Sequence, residues 1–516
     1  METESLHIDT ATLFNKETSD LISKLHSQFE ARRQELLKMR KERQKKWDEG
    51  ELPQYLDQDS EMVTGDWKVA PIPEDLLCRR VEITGPVNDP KMVINMLNRT
   101  TDGHRADTAM LDFEDSMMPN WDNVLNGYKN IYGAVRGELE YVKEGPNPKH
   151  YKLNKDDMAK VMVRVRGLHM NEAHYKVKGQ NVSAGLMDLA VVACQNARYQ
   201  IEHGITPKFY VPKCEHHLEA RWWNDVFTAI EDELNLKRSS LRATFLIETL
   251  PAAFQIEEIL YELRDHAAGL NVGRWDKIFS DIKCLRNHPD RIAPDRATIN
   301  MSKYWMDNYA KRLIKICHER GAFAIGGMSA FTPGKTPELR QKQEAKVAAD
   351  KNNEANIGHD GCWVSHPYFI KTAMSAFQYD NQLDKKLDTF SKTPDLIMDG
   401  EGPKTMDGLS TNIRVGIAYM HGWNKGIGCV AWDGLMEDLA TLEISRAQTW
   451  QWLKNNITLD SGEKVTKELV RQVFDNELNK IIEEIKNPAL NQEFIKAKED
   501  AQKIFLEDEL RDFLTV

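Results

Sequence analysis

The sequence lacks paired cysteines. Its seven cysteines stand singly along the chain, and no Cys-x-x-Cys pair occurs. An odd number of isolated cysteines argues against a disulfide framework and against a zinc knuckle. The pattern predicts a reduced, intracellular protein.

Long apolar runs and targeting signals are missing as well. No run reaches the roughly eighteen apolar residues that suffice to span a bilayer. The first ten residues, METESLHIDT, resemble neither a signal peptide nor a transit peptide, and residues 513–516 do not form a Ser-Lys-Leu peroxisomal signal. We therefore expect a cytoplasmic protein with no membrane partner.

Positive charge is not in excess. The chain has 69 Lys and Arg against 80 Asp and Glu, which gives a net charge of −11. Residues 38–46 carry six basic side chains, and we expect them to form an exposed helix face in preference to an anion-binding patch. An acidic chain has no general attraction for nucleic acid, so we expect no nucleic-acid partner. An anionic substrate must then be held by a local set of Arg, Lys, metal or backbone N–H groups.

The patterning along the 516 residues changes three times, and it predicts four regions. In chain order they are an N-terminal helical region with a connector (1–78), a β/α region (79–380), a polar linker (381–410) and a helical C-terminal region (411–516). Within these regions, helical patterns include 17–48, 252–266 and 434–454.

Eight short β-rich runs alternate with helical patterns in the β/α region. They are residues 81–86, 108–115, 161–167, 208–213, 243–249, 267–273, 323–328 and 362–367. Most are apolar on both faces, as in parallel strands covered by helices. Eight such units predict an α/β fold of the (β/α)8 TIM barrel type. An open doubly wound sheet is the alternative, which the lack of a G-x-G-x-x-G after the first strand disfavours.

Charged residues interrupt the apolar strands at or near their carboxyl ends. Arg164, Glu248 and Asp276 are the clearest cases. Burying such a group costs several kcal/mol unless it is paired or bound to metal. Two carboxylates without a nearby His or Cys suit Mg²⁺, which takes oxygen ligands. Salt bridges from Glu248 and Asp276 to Arg164 or Arg166 are the alternative at this point.

Several segments resemble the isoform A malate synthases. They include RRVEITGPV (79–87), LDFEDSMMPNWDNV (111–124), VRVRGLH (163–169), LRDHAAGLNVGRWDKIFS (263–280), AIGGMSA (324–330), DGCWVSHP (360–367) and LMEDLATLEISRAQTWQWL (435–453). The resemblance runs in register from residue 79 to 453. It implies a TIM barrel between an N-terminal helical clasp and a C-terminal helical plug.

The resemblance also implies a reaction and its residues. The reaction is the Mg²⁺-dependent condensation of acetyl-CoA with glyoxylate and water, which yields malate and CoA. By position in the motifs, the implied roles are metal ligands for Glu248 and Asp276, glyoxylate binding for Gly273, Arg274 and Trp275, catalytic arginine for Arg164, and catalytic base for Asp438. Because Arg166 lies two residues on, it stays open as the alternative to Arg164.

The chain departs from the family pattern at a few positions. Lys277 stands where Tyr is usual, Asp281 where an apolar residue is usual, and Tyr368 where an acidic residue is common. Residues 431–434 replace a Pro- and Asn-rich lead into the LMED segment. None of these positions holds metal or transfers a proton, so the departures bear on substrate affinity and on the packing of the plug.

Two other functions fit parts of the pattern. Citrate-lyase-like and malyl-CoA lyase barrels share the strand arginine and the metal carboxylates, but they are shorter and lack the segment with Asp438. A catalytically inactive barrel that serves as a scaffold is expected to lose one of Arg164, Glu248, Asp276 and Asp438, and all four are present. The oligomeric state is open, with a monomer slightly favoured.

Overall fold

Eight parallel strands close into a barrel in the computed structural model, which describes residues 8–515. The strands are β1 (Val81–Pro86), β2 (Thr108–Asp112), β3 (Lys160–Arg164), β4 (Lys208–Val211), β5 (Arg242–Ile247), β6 (Ala267–Val272), β7 (Phe323–Ser329) and β8 (Gly361–Val364). Each strand pairs with the next along the chain, and β1 pairs with β8. The predicted (β/α)8 barrel is confirmed, and the doubly wound sheet is excluded.

The barrel is buried on both faces. All residues of six strands are buried, because side chains fill the interior and helices cover the outside. The covering helices are Pro90–Leu97, Trp121–Arg136, Ala184–Glu202, His217–Glu233, Ile256–Glu262, Arg274–Cys284, Tyr304–Arg320, Pro337–Ile357 and Ile370–Ala376. The helix predicted at 252–266 is shorter in the structure, where it spans Ile256–Glu262. Gln255 is not helical, and it separates this helix from a single turn at Leu250–Ala253.

One long helix, Lys16–Asp48, crosses the outside of the barrel, close to the predicted range of 17–48. The side chain of Asn15 caps it by accepting a hydrogen bond from the Thr18 N–H. Two of its basic residues turn inward: Arg40 pairs with Glu219 at 2.7 Å, and Arg43 pairs with Glu215 at 2.6 Å. Part of the basic segment therefore anchors the helix to the barrel.

The C-terminal region has its own apolar core between four helices, Met406–Trp423, Leu439–Lys454, Lys467–Ile485 and Asn491–Phe505. The predicted helical region from residue 411 is confirmed, but the helix predicted at 434–454 begins later, at Leu439. A hairpin of Val430–Trp432 and Leu435–Glu437 comes first. Asp433 and Gly434 both have positive φ (47° and 83°), so an Asp-Gly turn of the kind that joins hairpin strands forms there.

Two further antiparallel hairpins were not predicted. One pairs Glu140–Lys143 with Lys149–Lys152, and the other pairs Asn171–Val177 with Gln180–Ser183. Residues 377–405 contain neither helix nor strand, and Leu396 and Met398 within them are buried. The domain boundaries at 78, 380 and 410 stay predictions. Across residues 8–515, no helix is both long and apolar enough to cross a membrane.

Candidate active site

A cavity of about 640 Å³ lies at the carboxyl ends of the strands. Its walls come from the loops after the strands and from the C-terminal region, which contributes Met436 and Asp438. All seven residues singled out in the sequence line this one cavity: Arg164, Glu248, Gly273, Arg274, Trp275, Asp276 and Asp438. The structure therefore brings together residues that lie up to 274 positions apart (164 to 438).

Four buried carboxyls form an acidic cluster beside the cavity. Glu248 follows β5, and Asp276 lies in the first turn of the helix Arg274–Cys284. Glu114 and Asp115 come from the loop after β2. In the described structure two buried oxygens of this cluster, Asp276 Oδ1 and Glu114 Oε2, accept no hydrogen bond, although each has a cationic side chain within 4 Å.

Burial and mutual repulsion shape the charge of this cluster. Burial raises the pKa of Glu248, and burial together with the charge of Asp115 raises the pKa of Asp276 and of Glu114 well above their ordinary values. For Asp115, burial also opposes the charge, but Lys213 and Arg164 hold its pKa below the ordinary value. A divalent cation would relieve this repulsion.

Arg164 ends β3 and points into the cavity. Its guanidinium donates two hydrogen bonds of 2.6 Å to the carboxylate of Asp112. By contrast, Arg166 pairs with Asp188 at 2.8 Å and with Glu172 at 2.7 Å, and it is not among the residues that line the cavity. Of the two candidate arginines, Arg164 is the one that faces the site.

The salt bridges considered for Glu248 and Asp276 are not the ones found. Neither pairs with Arg164 or Arg166 in the described structure; Lys213 is the nearby cation. Its Nζ lies 3.1 Å from Asp276 Oδ1, and its backbone N–H donates to Glu248 Oε1 at 2.8 Å. Sequence reasoning missed Lys213, although its place at the end of the run KFYVPK is the same signal that marked the other strand ends.

The loop from Gly273 to Trp275 passes close to the cluster. A Cβ on residue 273 would lie 2.4 Å from the Cβ of Glu248, so only glycine fits there. The Arg274 guanidinium donates to the carbonyl of Met328 at 3.0 Å and lies 3.4 Å from Asp350. These contacts fix the loop that the family resemblance assigns to glyoxylate.

Asp438 reaches the cavity from the C-terminal region. It is the N-cap of the helix Leu439–Lys454, and it forms a capping box with Thr441. Burial, with the charge of Asp115, raises the pKa of Asp438 to about 7. Because this side chain both caps a helix and lines the cavity, the structural and the chemical interpretations are compatible. A carboxyl that titrates near neutrality can accept a proton at working pH.

The residues at the cluster fit Mg²⁺. In residues 8–515, no group of three or more His, Cys, Asp and Glu side chains forms a ready ligand set. Mg²⁺ does not need one, since it commonly takes one or two protein carboxylates and fills its other positions with water and substrate. Asp276 Oδ1, which accepts no hydrogen bond although Lys213 Nζ lies 3.1 Å away, is an oxygen of the kind that such an ion prefers.

A closed barrel with acidic, arginine and near-neutral carboxyl groups at its strand ends defines a (β/α)8-barrel enzyme. Three family models match the chain: "Malate synthase, N-terminal domain" over residues 7–61, "Malate synthase, TIM barrel domain" over 160–397 and "Malate synthase, C-terminal" over 403–516. The chain belongs to the malate synthase family.

Individual malate synthases are similar to this chain over nearly its whole length. Malate synthase A of Escherichia coli (strain K12) is 43% identical, covering 98% of this chain and 94% of that protein. Malate synthase of Myxococcus xanthus (strain DK1622) is 45% identical, covering 93% of this chain and 88% of that protein. The glyoxysomal malate synthase of Candida tropicalis is 42% identical, covering 98% of this chain and 92% of that protein.

Proposed function

We propose that the 640 Å³ cavity is where this chain carries out the malate synthase reaction, with Asp438 as base, Arg164 as catalytic arginine and Mg²⁺ held by Glu248 and Asp276. The reaction condenses acetyl-CoA with glyoxylate, and hydrolysis then releases malate and CoA. The observation that carries the proposal is that one cavity is lined by all seven residues that the family resemblance assigns to the reaction, from both the barrel and the C-terminal region.

Asp438 is suited to remove a proton from the methyl group of acetyl-CoA. That methyl group is a weak carbon acid, so a positioned base is needed. With a pKa raised to about 7 by burial and by Asp115, the carboxylate is more basic than an exposed Asp and still largely ionised above neutrality. The pair of electrons left on the carbon then forms the new bond to the aldehyde carbon of glyoxylate.

Arg164 is suited to stabilise the negative charge that develops on the thioester oxygen. Its guanidinium is fixed by Asp112, so no reorganisation is needed when the charge appears. Although burial opposes its charge, Asp112 raises the pKa of Arg164 further, and the group stays protonated.

Glu248 and Asp276 would hold the Mg²⁺, and Gly273, Arg274 and Trp275 would hold glyoxylate beside them. When bound, the ion supplies Lewis-acid polarisation of the glyoxylate carbonyl. The proximity of the loop to Glu248 supports this arrangement, since the space between them admits only a glycine.

The outer part of the cavity suits acetyl-CoA. Four methionines line the cavity and offer an adaptable apolar wall for the pantetheine arm: Met92, Met96, Met328 and Met436. Lys91 lines the same cavity and supplies positive charge for the phosphates, which the acidic chain as a whole does not; Arg99 lines it too, but it is paired with Asp157.

We also infer a cytoplasmic location, because all seven cysteines are free, as in a reducing compartment. The alternative is a glyoxysome, the location that the name of the Candida tropicalis relative carries. Imaging of the tagged chain in its own cells distinguishes the two.

The experiment compares Asp438→Asn with wild type, following free thiol release from acetyl-CoA with glyoxylate and Mg²⁺. Asn keeps the cap but not the basicity, so we expect turnover to fall at least ~100-fold with little change in stability. Asp9→Asn is the control, because Asp9 also caps a helix, Thr10–Leu13, by accepting a hydrogen bond from the Thr12 N–H, and neither Asp9 nor that helix lines the cavity. Near-normal turnover by Asp438→Asn would remove Asp438 from the mechanism.

A further inference from the structure

Lys213 has a backbone conformation that calls for an explanation. It follows β4 with a φ of 52°, in the left-handed region that a lysine rarely adopts. The conformation is held from both sides: the N–H donates to Glu248 Oε1 at 2.8 Å, and the carbonyl accepts from Arg40 Nη2 at 2.8 Å. Strain of this kind persists where the surroundings over-determine it, and it concentrates at functional sites.

The side chain of Lys213 joins three carboxyls of the acidic cluster. Its Nζ lies 2.7 Å from Glu114, 2.8 Å from Asp115 and 3.1 Å from Asp276. The side chain is only 2% exposed. It is not among the residues that line the cavity; instead it lies behind the cluster, near Phe279, Lys283 and Phe513. Lys213 is therefore placed to act on the carboxyls and not on a substrate.

Charge at the site is unbalanced without this lysine. Six carboxyls, Asp112, Glu114, Asp115, Glu248, Asp276 and Asp438, share the site with Arg164 and Lys213. Arg164 is engaged by Asp112 through both hydrogen bonds. Its Nη1 lies farther from the cluster, 3.7 Å from Glu114 and 3.5 Å from Asp115, so Lys213 is the cation in closer contact with these carboxyls.

We propose that Lys213 is a positioning residue, a fixed counter-cation that holds Glu114, Asp115 and Asp276 together from behind and lowers the affinity of the cluster for a divalent ion. This inference rests on the proposed metal site. A positive charge at this distance repels a second cation, so the lysine weakens binding of the ion while keeping the metal-free cluster from separating.

The test measures metal binding instead of turnover. Mn²⁺ affinity is determined by electron paramagnetic resonance, and the shift in thermal midpoint on adding Mg²⁺ is recorded. We expect Lys213→Met to have a lower thermal midpoint than wild type in the absence of metal. The variant should bind Mn²⁺ at least about tenfold more tightly, and its midpoint should rise more on adding Mg²⁺ than that of wild type. Lys213→Arg, which keeps the charge, should bind Mn²⁺ much as wild type does.

Lys208, at the start of β4, provides the control. Lys208 is also buried, and it pairs with Asp75 at 2.5 Å away from the cavity. Lys208→Met should lower the midpoint and leave both Mn²⁺ affinity and the Mg²⁺ shift at the wild-type values. If Lys213→Met does not fold, Lys213→Gln, which keeps a polar terminus, takes its place in the same measurements.

The outcomes separate the two proposals. Unchanged or weaker Mn²⁺ binding by the neutral Lys213 variants, with a wild-type Mg²⁺ shift, overturns the counter-cation role and leaves the metal site standing. Failure of wild type itself to bind Mn²⁺ overturns the metal site and this inference together.

Discussion

The ion pair between Lys277 and Asp281 occupies two positions where this chain departs from its family. Both residues lie on the helix Arg274–Cys284, and Lys277 Nζ donates to Asp281 Oδ1 at 2.6 Å. Both side chains are fully buried. Lys277 also lies 5.3 Å from the ring centre of Trp305 and 5.5 Å from that of Tyr309. The two departures thus compensate each other, and they should be strongly coupled.

We predict that each single change is costly and that the double change is not. Lys277→Met leaves Asp281 unpaired, and Asp281→Val leaves Lys277 unpaired, so each should cost ~3–5 kcal/mol. Lys277→Met/Asp281→Val removes both charges and should lie within about 1 kcal/mol of wild type. The two single costs should then exceed the double cost by at least ~3 kcal/mol.

The pH dependence of the wild type provides a second signature. Burial raises the pKa of Asp281 to about 6 against the partial compensation from Lys277. Because the folded pKa lies above the unfolded value, this group favours folding below about pH 4, and that contribution is lost as the pH rises towards 6. The loss amounts to roughly 3 kcal/mol, and variants with Asp281→Val should not show it. In Lys277→Met the pKa of the unpaired carboxyl should rise further, so the loss of stability with rising pH should be larger than in wild type and extend to higher pH.

The assay is urea unfolding of the four proteins between pH 4 and 8, followed by tryptophan fluorescence and by hydrogen exchange of residues 274–284. Hydrogen exchange matters because unfolding of a chain this long need not be two-state. The reasoning would be refuted if the costs of the two single changes added up to the cost of the double change. It would also be refuted if the stability of Asp281→Val depended on pH in the same way as that of wild type.

Three further predictions concern the barrel and its attachments. Arg164→Lys loses the paired hydrogen bonds to Asp112, so thiol release should fall ~100-fold or more, whereas Arg166→Lys should lower the thermal midpoint and largely keep turnover. Arg40→Met leaves buried Glu219 without its partner and should cost ~3–5 kcal/mol in urea unfolding, while Lys45→Met, in an exposed pair, should change stability by less than ~1 kcal/mol. Phe513→Ala removes a buried ring that stacks 4.2 Å from His169, and a loss of ~3–5 kcal/mol is expected; a loss under ~1 kcal/mol would show that the C-terminal segment is not held there.

The barrel could be predicted from the sequence because its strands are apolar on both faces. Each of the eight strands overlaps its predicted run, because short apolar stretches between helical patterns are typical of parallel strands that are buried on both faces. The hairpin before Asp438 was mistaken for the start of a helix, although Asp433-Gly434 is a recognised hairpin turn. Leu435 and Leu439 fit a helical stripe as well as a strand followed by a cap, so periodicity alone did not decide.

The candidate site could be predicted only in part. Carboxyls and arginines at strand ends were visible because charge inside an apolar run is costly. Which side each one faces was not visible: Arg164 and Arg166 have the same residue type and both are buried, and only the structure shows that Arg166 faces Asp188. Lys213 was not predicted, although it ends the run KFYVPK as the other charged residues end theirs.

The position of Asp438 depends on how the hairpin of Val430–Trp432 and Leu435–Glu437 attaches to the barrel, which no local pattern encodes. The Thr332 N–H donates to the carbonyl of Gly434 at 3.0 Å, and the Met436 N–H donates to the carbonyl of Ala330 at 2.7 Å. Just past Asp438, the Leu439 N–H donates to the carbonyl of Asp115 at 3.1 Å. Backbone bonds to the loops after β7 and β2 therefore fix the residues on either side of Asp438. Because Asp115 also contacts Lys213 and raises the pKa of Asp438, the bond that places the proposed base also places the charge that tunes it. The proposed catalytic arrangement thus depends on the barrel and the C-terminal region together.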